Sequence, residues 1–246
     1  MTEQNASAVS GASTAATPPG RSASRRRSVL LFLRDVVVIV AAALIISFLI
    51  KTFLIRSFYI PSESMMSTLV KDDRIIVNQL VPAVVPIERG DVVVFRDPGS
   101  WLPPRLEQPQ PPLVAAGDWV LSLVGLSASD SDEHLVKRVI GLPGDRVVCC
   151  NDLGQLSING VPLDETYVLL PPGTTDVSGQ DFQQDVPDAT LWVMGDNRYD
   201  SADSRFNGVV PIADVVGRAF VISWPIDRWQ GIGSYPLVFD GVERAR

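Results

Sequence analysis

The sequence predicts a mainly β protein, in which an N-terminal transmembrane helix is followed by an antiparallel β domain. Three observations support this fold class. One long apolar run lies near the N-terminus. After it, short runs rich in Val and Ile are separated by Gly, Pro, Asn and Asp turn signals. No long amphipathic helices recur between these runs, which disfavours a βαβ architecture.

The first segment is predicted to be a disordered cytoplasmic tail over residues 1–28. Residues 1–24 are rich in Ser, Ala, Thr, Gly and Pro and have almost no large apolar side chains, so they cannot bury a core. The arginine cluster Arg25–Arg27 follows, directly before the apolar run. By the positive-inside rule, this cluster stays in the cytoplasm and the chain after the apolar run lies on the outer side of the membrane.

The second segment, residues 29–55, is predicted to be a transmembrane anchor. Its uninterrupted apolar part, Val36–Ile50, is shorter than the roughly 20 residues that span a bilayer. Reaching that length includes three charged residues near the ends, whose side chains can extend to the interface: Arg34, Asp35 and Lys51. A cleaved signal peptide ending at Ala41–Ala43 is the alternative, disfavoured because the apolar run continues past these alanines.

The third segment, residues 57–246, is predicted to be an extracytoplasmic β domain. Strands are predicted over Arg74–Asn78, Val136–Ile140, Arg146–Cys150, Leu156–Ile158, Leu191–Met194 and Val215–Ile222, and Arg89–Phe95 is predicted to be a turn that leads into a further strand. Asn159–Gly160 is the strongest hairpin signal. A proline-rich insertion covers 97–133. Within it, the apolar stretch Trp119–Leu126 is either a buried helical turn or a segment that inserts partly into the membrane surface.

Composition excludes some classes of function. The net charge of −7 and the isoelectric point near 4.7 argue against nucleic-acid binding, which needs clustered basic residues. Cys149 and Cys150 are adjacent and lack the spacing of metal ligands, so we predict no metal site and no cofactor. They are interpreted either as small strand residues or as a vicinal disulfide.

Two serines, Ser62 and Ser64, follow Pro61, which stiffens the backbone directly after the apolar run. A serine hydroxyl becomes a good nucleophile only when a base takes its proton and donors stabilise the resulting oxyanion. The chain has one histidine, His134, so a lysine is the more plausible base for Ser64.

Three lysines are available as the base. Lys51 lies at the membrane edge and Lys71 in a charged cluster, whereas Lys137 lies in an apolar, strand-like run. Burial there would lower the pKa of Lys137 and allow it to accept a proton near neutral pH. A Ser64–Lys137 dyad is one interpretation. A half-buried lysine that extends from a strand to solvent is the other.

Four segments follow the N-terminal anchor in this order: Pro61–Leu69, Arg89–Phe95, Lys137–Asp145 and Gly195–Gly208. In sequence and in order they resemble the nucleophile motif, the Gly-Asp strand motif, the lysine motif and the C-terminal motif of bacterial type I signal peptidases. Because all four occur in register, we interpret the fold as a catalytic domain of the signal-peptidase type.

The resemblance implies a role for each matching residue. Ser64 would be the nucleophile and Lys137 the general base. The Ser64 backbone N–H and the Ser62 hydroxyl would form the oxyanion hole, and Ser201 would hydrogen-bond the Lys137 amine. The remaining implied roles are a supporting ion pair of Asp203 with Arg205, a turn held by Asp196 and Asn197, and apolar pocket walls from Ile60, Met65, Leu69 and Val136. From the residues alone, the Asp203–Arg205 pair would be a surface ion pair.

The implied function is that of a serine endopeptidase anchored in the cytoplasmic membrane, which removes signal peptides from exported preproteins. Its partners would be the bilayer and preproteins with small residues at the first and third positions before the cut. Two rivals are a self-cleaving regulatory Ser-Lys peptidase and a tethered β domain without catalysis. The chain departs from the family at Ser67, usually proline, which predicts a looser turn. His134 and the segment Asp97–Glu133 have no counterpart in the motifs, and His134 is expected at a surface or strand edge.

Overall fold

The computed structural model describes residues 21–99, 101–102 and 134–243. The chain divides into two compact units, Met1–Ser47 and Phe48–Arg246. Helix α1 runs from Arg21 to Phe53. Within the described residues, it contains the one stretch apolar and long enough to cross a membrane, Val29–Ile50, whose large apolar side chains are exposed. At 1.5 Å per residue its 22 residues extend about 33 Å, against a hydrocarbon core of about 30 Å.

Both ends of α1 differ from the predicted anchor. The helix begins at Arg21, so residues 21–28 are helical where disorder was expected. Once an apolar helix has nucleated, extending it through Ala, Ser and Arg costs little free energy. Residues 1–20 lie outside the described part. The helix ends at Phe53, and a strand already begins at Ile55. Arg34 and Asp35 form an exposed ion pair, with 2.8 Å between guanidinium and carboxylate.

The second unit is built on a large antiparallel sheet. Its eight strands within the described residues are β1 (Ile55–Tyr59), β2 (Arg74–Asn78), β3 (Val92–Arg96), β4 (His134–Gly141), β9 (Thr190–Met194), β10 (Val210–Pro211), β11 (Val215–Trp224) and β12 (Gln230–Gly231). The spatial order is β1-β2-β11-β3-β4-β9-β10, and β12 pairs with β11. The short helix α2 (Ser204–Asn207) follows β9. Single 3₁₀ turns occupy Ile212–Asp214, Ile226–Arg228 and Pro236–Phe239.

A smaller antiparallel sheet follows the lysine motif. It contains β5 (Arg146–Cys149), β6 (Ser157–Ile158), β7 (Val161–Pro162) and β8 (Phe182–Asp185), in the order β7-β6-β5-β8 within the described residues. The predicted hairpin at Asn159–Gly160 joins β6 to β7. Both of its residues have positive φ, 53° and 86°, as a two-residue turn of the mirror-image type requires. Cys149 and Cys150 form a vicinal disulfide, the second of the two interpretations.

The predicted antiparallel fold class is confirmed. Strand β2 has the predicted bounds, and β4 begins two residues before the predicted start at Val136. The pattern did not identify five strands, which are β1, β7, β8, β10 and β12. Each is short, pairs with one neighbouring strand among the described residues, and has few β-branched side chains, so the local signal is weak. Most of the insertion 97–133, including Trp119–Leu126, lies outside the described residues.

The centre of the large sheet is buried on both faces. On β3, Val92 to Phe95 are all at most 2% exposed, and alternate residues pack into two separate clusters. Val92 and Val94 lie in the same cluster as Met65 and Leu69, from the segment between β1 and β2. This segment is therefore packed onto the sheet by its own apolar side chains, directly beside β4.

Candidate active site

Ser64 and Lys137, 73 residues apart in the chain, meet in the folded domain. The Lys137 Nζ donates a hydrogen bond of 2.7 Å to the Ser64 Oγ. It also donates to the Val136 carbonyl at 3.1 Å. Lys137 is 3% exposed and Ser64 8% exposed, so the contact is shielded from water. The alternative of a lysine that reaches out to solvent is excluded by this burial.

Strand pairing on both sides holds Lys137. In the antiparallel register, Lys137 lies opposite Val93 on β3, and the next residue of β4 lies opposite Met194 on β9. A residue in a strand with two paired neighbours has little backbone freedom. The direction of the lysine side chain is therefore set by the register of the central sheet.

The environment of Lys137 prepares it for proton transfer. Burial lowers the pKa of its ammonium group to about 8, because desolvation disfavours the charged form. Asp203 and Asp196 oppose that effect by raising the pKa, and Arg205 lowers it. A substantial fraction of the amine is therefore neutral at mildly alkaline pH, where it can accept the proton of the hydroxyl it contacts.

Ser64 lies in a turn between β1 and β2. The Met66 N–H donates to the Glu63 carbonyl at 3.0 Å, and the Leu69 N–H donates to the Met65 carbonyl at 2.8 Å. The Ser62 hydroxyl lies 3.3 Å from the Ser64 Oγ. Among the described residues, the Ser64 backbone N–H has no hydrogen-bond acceptor. Besides the Lys137 amine, this N–H and the Ser62 hydroxyl are donor groups close to the Ser64 Oγ.

Asp196 and Asn197 stabilise the turn Glu63–Leu69, which we call the nucleophile turn, from a distant part of the chain. The Asp196 carboxylate accepts two hydrogen bonds from the Arg138 guanidinium, at 2.8 and 2.7 Å, and both side chains are fully buried. It also accepts one from the Thr68 hydroxyl. The Asn197 N–H donates to the Ser64 carbonyl at 3.1 Å. Both residues were expected to hold their own turn. The structure also shows longer-range contacts, from Asn197 to the Ser64 carbonyl and from Asp196 to Arg138 and Thr68.

Asp203 and Arg205 form an ion pair with two hydrogen bonds of 2.8 Å. The pair expected from the resemblance is therefore present, and because both side chains are fully buried, the alternative of a surface pair is excluded. The Asp203 carboxylate also accepts a 3.0 Å hydrogen bond from the Gly195 N–H. A side chain at Gly195 would overlap the Ser201 hydroxyl and the Ser64 carbonyl, so this glycine permits the close approach.

Ser201 does not make the contact expected of it. Its hydroxyl is buried and has no hydrogen-bond partner among the described residues, and Lys137 donates to Ser64 and Val136 instead. Because Ser201 packs against Gly195, it lies beside the nucleophile turn. The predicted hydrogen bond between Ser201 and Lys137 is therefore absent from this structure.

A cavity of about 240 Å³ opens beside the dyad. Three of the four predicted wall residues line it: Ile60, Met65 and Val136. Leu69 does not, because it is fully buried in the hydrophobic core beneath the turn. His134 also lines the cavity, at the start of β4, with its ring 5.2 Å from that of Phe58. It was expected at a surface or strand edge, whereas it is partly buried at the start of a central strand, and its place at the cavity was not foreseen.

The pattern missed one buried charge near the site, Arg138. Besides Asp196, its guanidinium donates to the carbonyls of Gly90 at 2.6 Å and Gly233 at 2.9 Å. An arginine directly after Lys137 within an apolar strand could have signalled a buried partner, because an unpaired charge there would be costly. The neighbouring residues do not identify that partner, because Asp196 is 58 positions away in the chain.

Comparisons with known proteins agree with this geometry. The family model of signal peptidases, peptidase S26, matches residues 33–224. A probable signal peptidase I of Mycobacterium leprae is 36% identical over 78% of this chain and 76% of that protein. A signal peptidase I of Leptolyngbya laminosa is 34% identical over 91% of this chain and 95% of its own. A signal peptidase I of Mycobacterium tuberculosis is 37% identical over 82% of this chain and 76% of that protein.

Proposed function

The chain belongs to the signal peptidase family, peptidase S26, and we propose that its Ser64 and Lys137 are the dyad that cleaves signal peptides from exported preproteins. It is a serine peptidase that acts on preprotein substrates. The observation that supports the residue assignment is the 2.7 Å contact between the Ser64 hydroxyl and a buried lysine of lowered pKa.

In the proposed acylation step, the neutral Lys137 amine takes the Ser64 hydroxyl proton while the Oγ attacks the scissile carbonyl carbon. The carbonyl oxygen becomes an oxyanion, which accepts hydrogen bonds from the Ser64 N–H and the Ser62 hydroxyl. As the tetrahedral intermediate collapses, the C–N bond breaks. The Lys137 ammonium then gives its proton to the leaving amine of the mature protein. The signal peptide remains bound to the Ser64 oxygen as an ester.

In the proposed deacylation step, a water molecule attacks the ester carbonyl while Lys137, neutral again, takes a proton from the water. Collapse of the second intermediate returns a proton to the Ser64 oxygen and releases the signal peptide acid. One water is consumed for each peptide bond cut. The same amine acts as base and acid in both halves, so it must exchange its proton easily, as a pKa of about 8 allows.

The cavity beside the dyad is where we place the substrate residues before the cut. Its walls include the apolar side chains of Ile60, Met65 and Val136 and enclose about 240 Å³. We propose that the small residues at the first and third positions before the scissile bond enter this cavity, next to the Ser64 hydroxyl.

The apolar helix α1 and the family of the chain indicate membrane anchoring. We propose that the tail is cytoplasmic, that α1 crosses the cytoplasmic membrane once, and that the catalytic domain lies outside. Tethering to the bilayer that also holds the apolar part of the preprotein raises the effective substrate concentration. Protease added to spheroplasts should digest the catalytic domain and spare an N-terminal tag. If the catalytic domain is protected from the protease, the proposed orientation is wrong and the domain lies on the cytoplasmic side.

The function is tested with the purified full chain in detergent and a preprotein that carries small residues at both positions. Mass spectrometry should find one cut directly after the second small residue, and Ser64→Ala should abolish it. A Ser64→Ala variant that still cleaves contradicts the nucleophile assignment. Cleavage of the chain itself without preprotein cleavage would favour the regulatory peptidase, and binding without any cleavage would favour the tethered β domain.

A further inference from the structure

The segment Glu165–Leu169, between β7 and β8, contacts the nucleophile turn and the Gly195–Arg198 turn at the same time. We call this segment the strap. It has no strand or helix of its own in the described structure and belongs to none of the motifs identified from the sequence. Its contacts nevertheless lie within a few residues of both Ser64 and Asp196.

The first contact ties the strap to the nucleophile turn through Ser67. The Ser67 hydroxyl donates a 2.6 Å hydrogen bond to the Tyr167 carbonyl. Ser67 has a φ of 59°, a left-handed conformation that few residues other than Gly, Asn and Asp adopt readily. A looser turn was expected here because proline is absent. Instead, a hydrogen bond to a distant segment holds this residue, in a conformation that proline cannot adopt.

The second set of contacts ties the strap to the Gly195–Arg198 turn. The Leu169 N–H donates to the Asp196 carbonyl at 2.8 Å. The Glu165 carboxylate accepts two hydrogen bonds from the Arg198 guanidinium, at 2.6 and 3.0 Å, and the pair is almost fully buried. The strap is therefore joined to this turn at both of its ends.

The strap, the Gly195–Arg198 turn and the nucleophile turn are therefore each hydrogen-bonded to the other two. The Asn197 N–H donates to the Ser64 carbonyl, so the turn that starts at Ser64 is held at its first residue by Asn197 and at its fourth by the strap. The Tyr167 ring also lies 4.2 Å from the Arg138 guanidinium, on the strand that carries the base. One short segment thus contacts the supports of both members of the dyad.

We propose that the strap is a positioning element for the Ser64 hydroxyl, and that Ser67 is the positioning residue through which it acts. This inference rests on the proposed function of Ser64. The Ser67 hydroxyl touches neither Lys137 nor the cavity beside the dyad, so its effect is on the alignment of Ser64. Such alignment changes turnover more than substrate binding, because it matters in the transition state.

The test compares Ser67→Gly with Ser67→Asn in the full chain. Glycine accepts the left-handed conformation without strain but removes the whole CH2OH side chain, and with it the hydroxyl donor, whereas asparagine also accepts this conformation and supplies an amide donor for the Tyr167 carbonyl. Ser67→Gly should lower kcat about three- to tenfold, the worth of one hydrogen bond. KM should change less than about twofold, and Ser67→Asn should restore most of kcat.

Ser223→Ala is the matched control. The Ser223 hydroxyl also donates to a distant carbonyl, that of Arg74 at 3.1 Å, but at an exposed site away from the dyad. This variant should keep the parent's kcat and KM. Equal losses of kcat in Ser223→Ala and Ser67→Gly would show a general effect of losing a hydroxyl and would overturn the proposal.

The remaining outcomes separate the strap from the function itself. If the parent cleaves, Ser64→Ala does not, and Ser67→Gly has the kcat of the parent, the positioning role is overturned while the peptidase function stands. If Ser67→Gly raises KM with kcat unchanged, or Ser67→Asn fails to recover kcat, the role is also overturned. A parent that cleaves no preprotein overturns both proposals together.

Discussion

The two members of the dyad lie in different kinds of structure. Lys137 is in β4, where β3 and β9 flank it in register, so backbone hydrogen bonds set its position. Ser64 is in a turn between strands, where the Asn197 N–H and the buried Arg138–Asp196 pair hold it from other parts of the chain. The base is thus placed by the sheet and the nucleophile by specific side chains. Substitutions at Lys137 should therefore change proton transfer, whereas substitutions around Ser64 should change the position of its hydroxyl.

The two positions also differ in what burial does to the group. Desolvation disfavours the charged form of Lys137, as its lowered pKa shows, so the folded state carries an unfavourable term at neutral pH. Ser64 is neutral, and its buried hydroxyl has a hydrogen-bond donor within 2.7 Å. Burying Lys137 therefore costs electrostatic free energy in the folded state, whereas burying the neutral Ser64 does not.

The largest expected effect is on the base. Lys137→Arg should lower kcat/KM by about 10³-fold or more, because arginine stays protonated and cannot take the Ser64 proton. The strand should tolerate the change in backbone terms, so circular dichroism should match that of the parent. Preprotein cleavage assays measure the loss. Turnover within tenfold of the parent would remove Lys137 as the base.

The next largest effect tests the side-chain supports. Asp203→Ala leaves the Arg205 guanidinium buried without its ion partner and should reduce the free energy of unfolding by about 3–5 kcal/mol. Asp185→Ala is the matched control, since its pair with Arg146 is exposed, at 3.8 Å, and should be worth less than about 1 kcal/mol. Thermal unfolding of both variants in detergent measures the difference. Similar losses would contradict the assignment of the buried pair as a support.

A smaller effect concerns stability at the base. Lys137→Met should abolish cleavage but stabilise the fold at pH 7, by up to about 3 kcal/mol, because no charge is then buried. In the parent, the pKa of Lys137 falls from its ordinary value of 10.5 to about 8 on folding. The unfolded chain therefore binds more protons between these pH values, and this contribution to stability rises with pH from about 8 to 10.5.

Denaturant titrations at pH 7 and pH 10 measure this contribution. The rise in the free energy of unfolding between pH 7 and pH 10 that comes from Lys137 should be present in the parent and absent from Lys137→Met. Ser64→Ala serves as the control, because it is also expected to be inactive yet keeps the lysine. A Lys137→Met variant less stable than the parent at pH 7 would mean that the packing of the lysine outweighs its desolvation.

The smallest expected effect is on the pH profile of the parent and Ser201→Ala. kcat/KM should rise with pH along a limb whose midpoint is near 8, as Lys137 loses its proton. Ser201→Ala should keep this limb and lower its plateau modestly, because Ser201 packs beside the nucleophile turn without bonding the amine. A limb displaced by a full pH unit in Ser201→Ala would show that its hydroxyl bonds the lysine during turnover. A flat parent profile from pH 6 to 10 would exclude a titrating lysine.

Some features of this protein were readable locally. The short run of Ile and Val predicted β2, the turn residues Asn159–Gly160 predicted a hairpin, and the long apolar run predicted one long helix. These features depend on a residue and its near neighbours in the chain, which is what a pattern records. The candidate dyad was not readable in this way, because the residues alone left open a lysine that extends to solvent. The resemblance of four motifs in register selected the dyad.

Other features were decided only by the tertiary structure. Leu69 matched a pocket wall by motif but is buried in the core, and Asp196 matched a turn but pairs with Arg138. Ser67 was expected in a loose turn, yet a carbonyl one hundred residues away holds it. By itself, the sequence determined the class of fold, the apolar helix and the two residues of the candidate dyad. Which buried charge meets which, and which side chain faces the cavity, depend on contacts between distant strands and turns, and no local pattern encodes those distances.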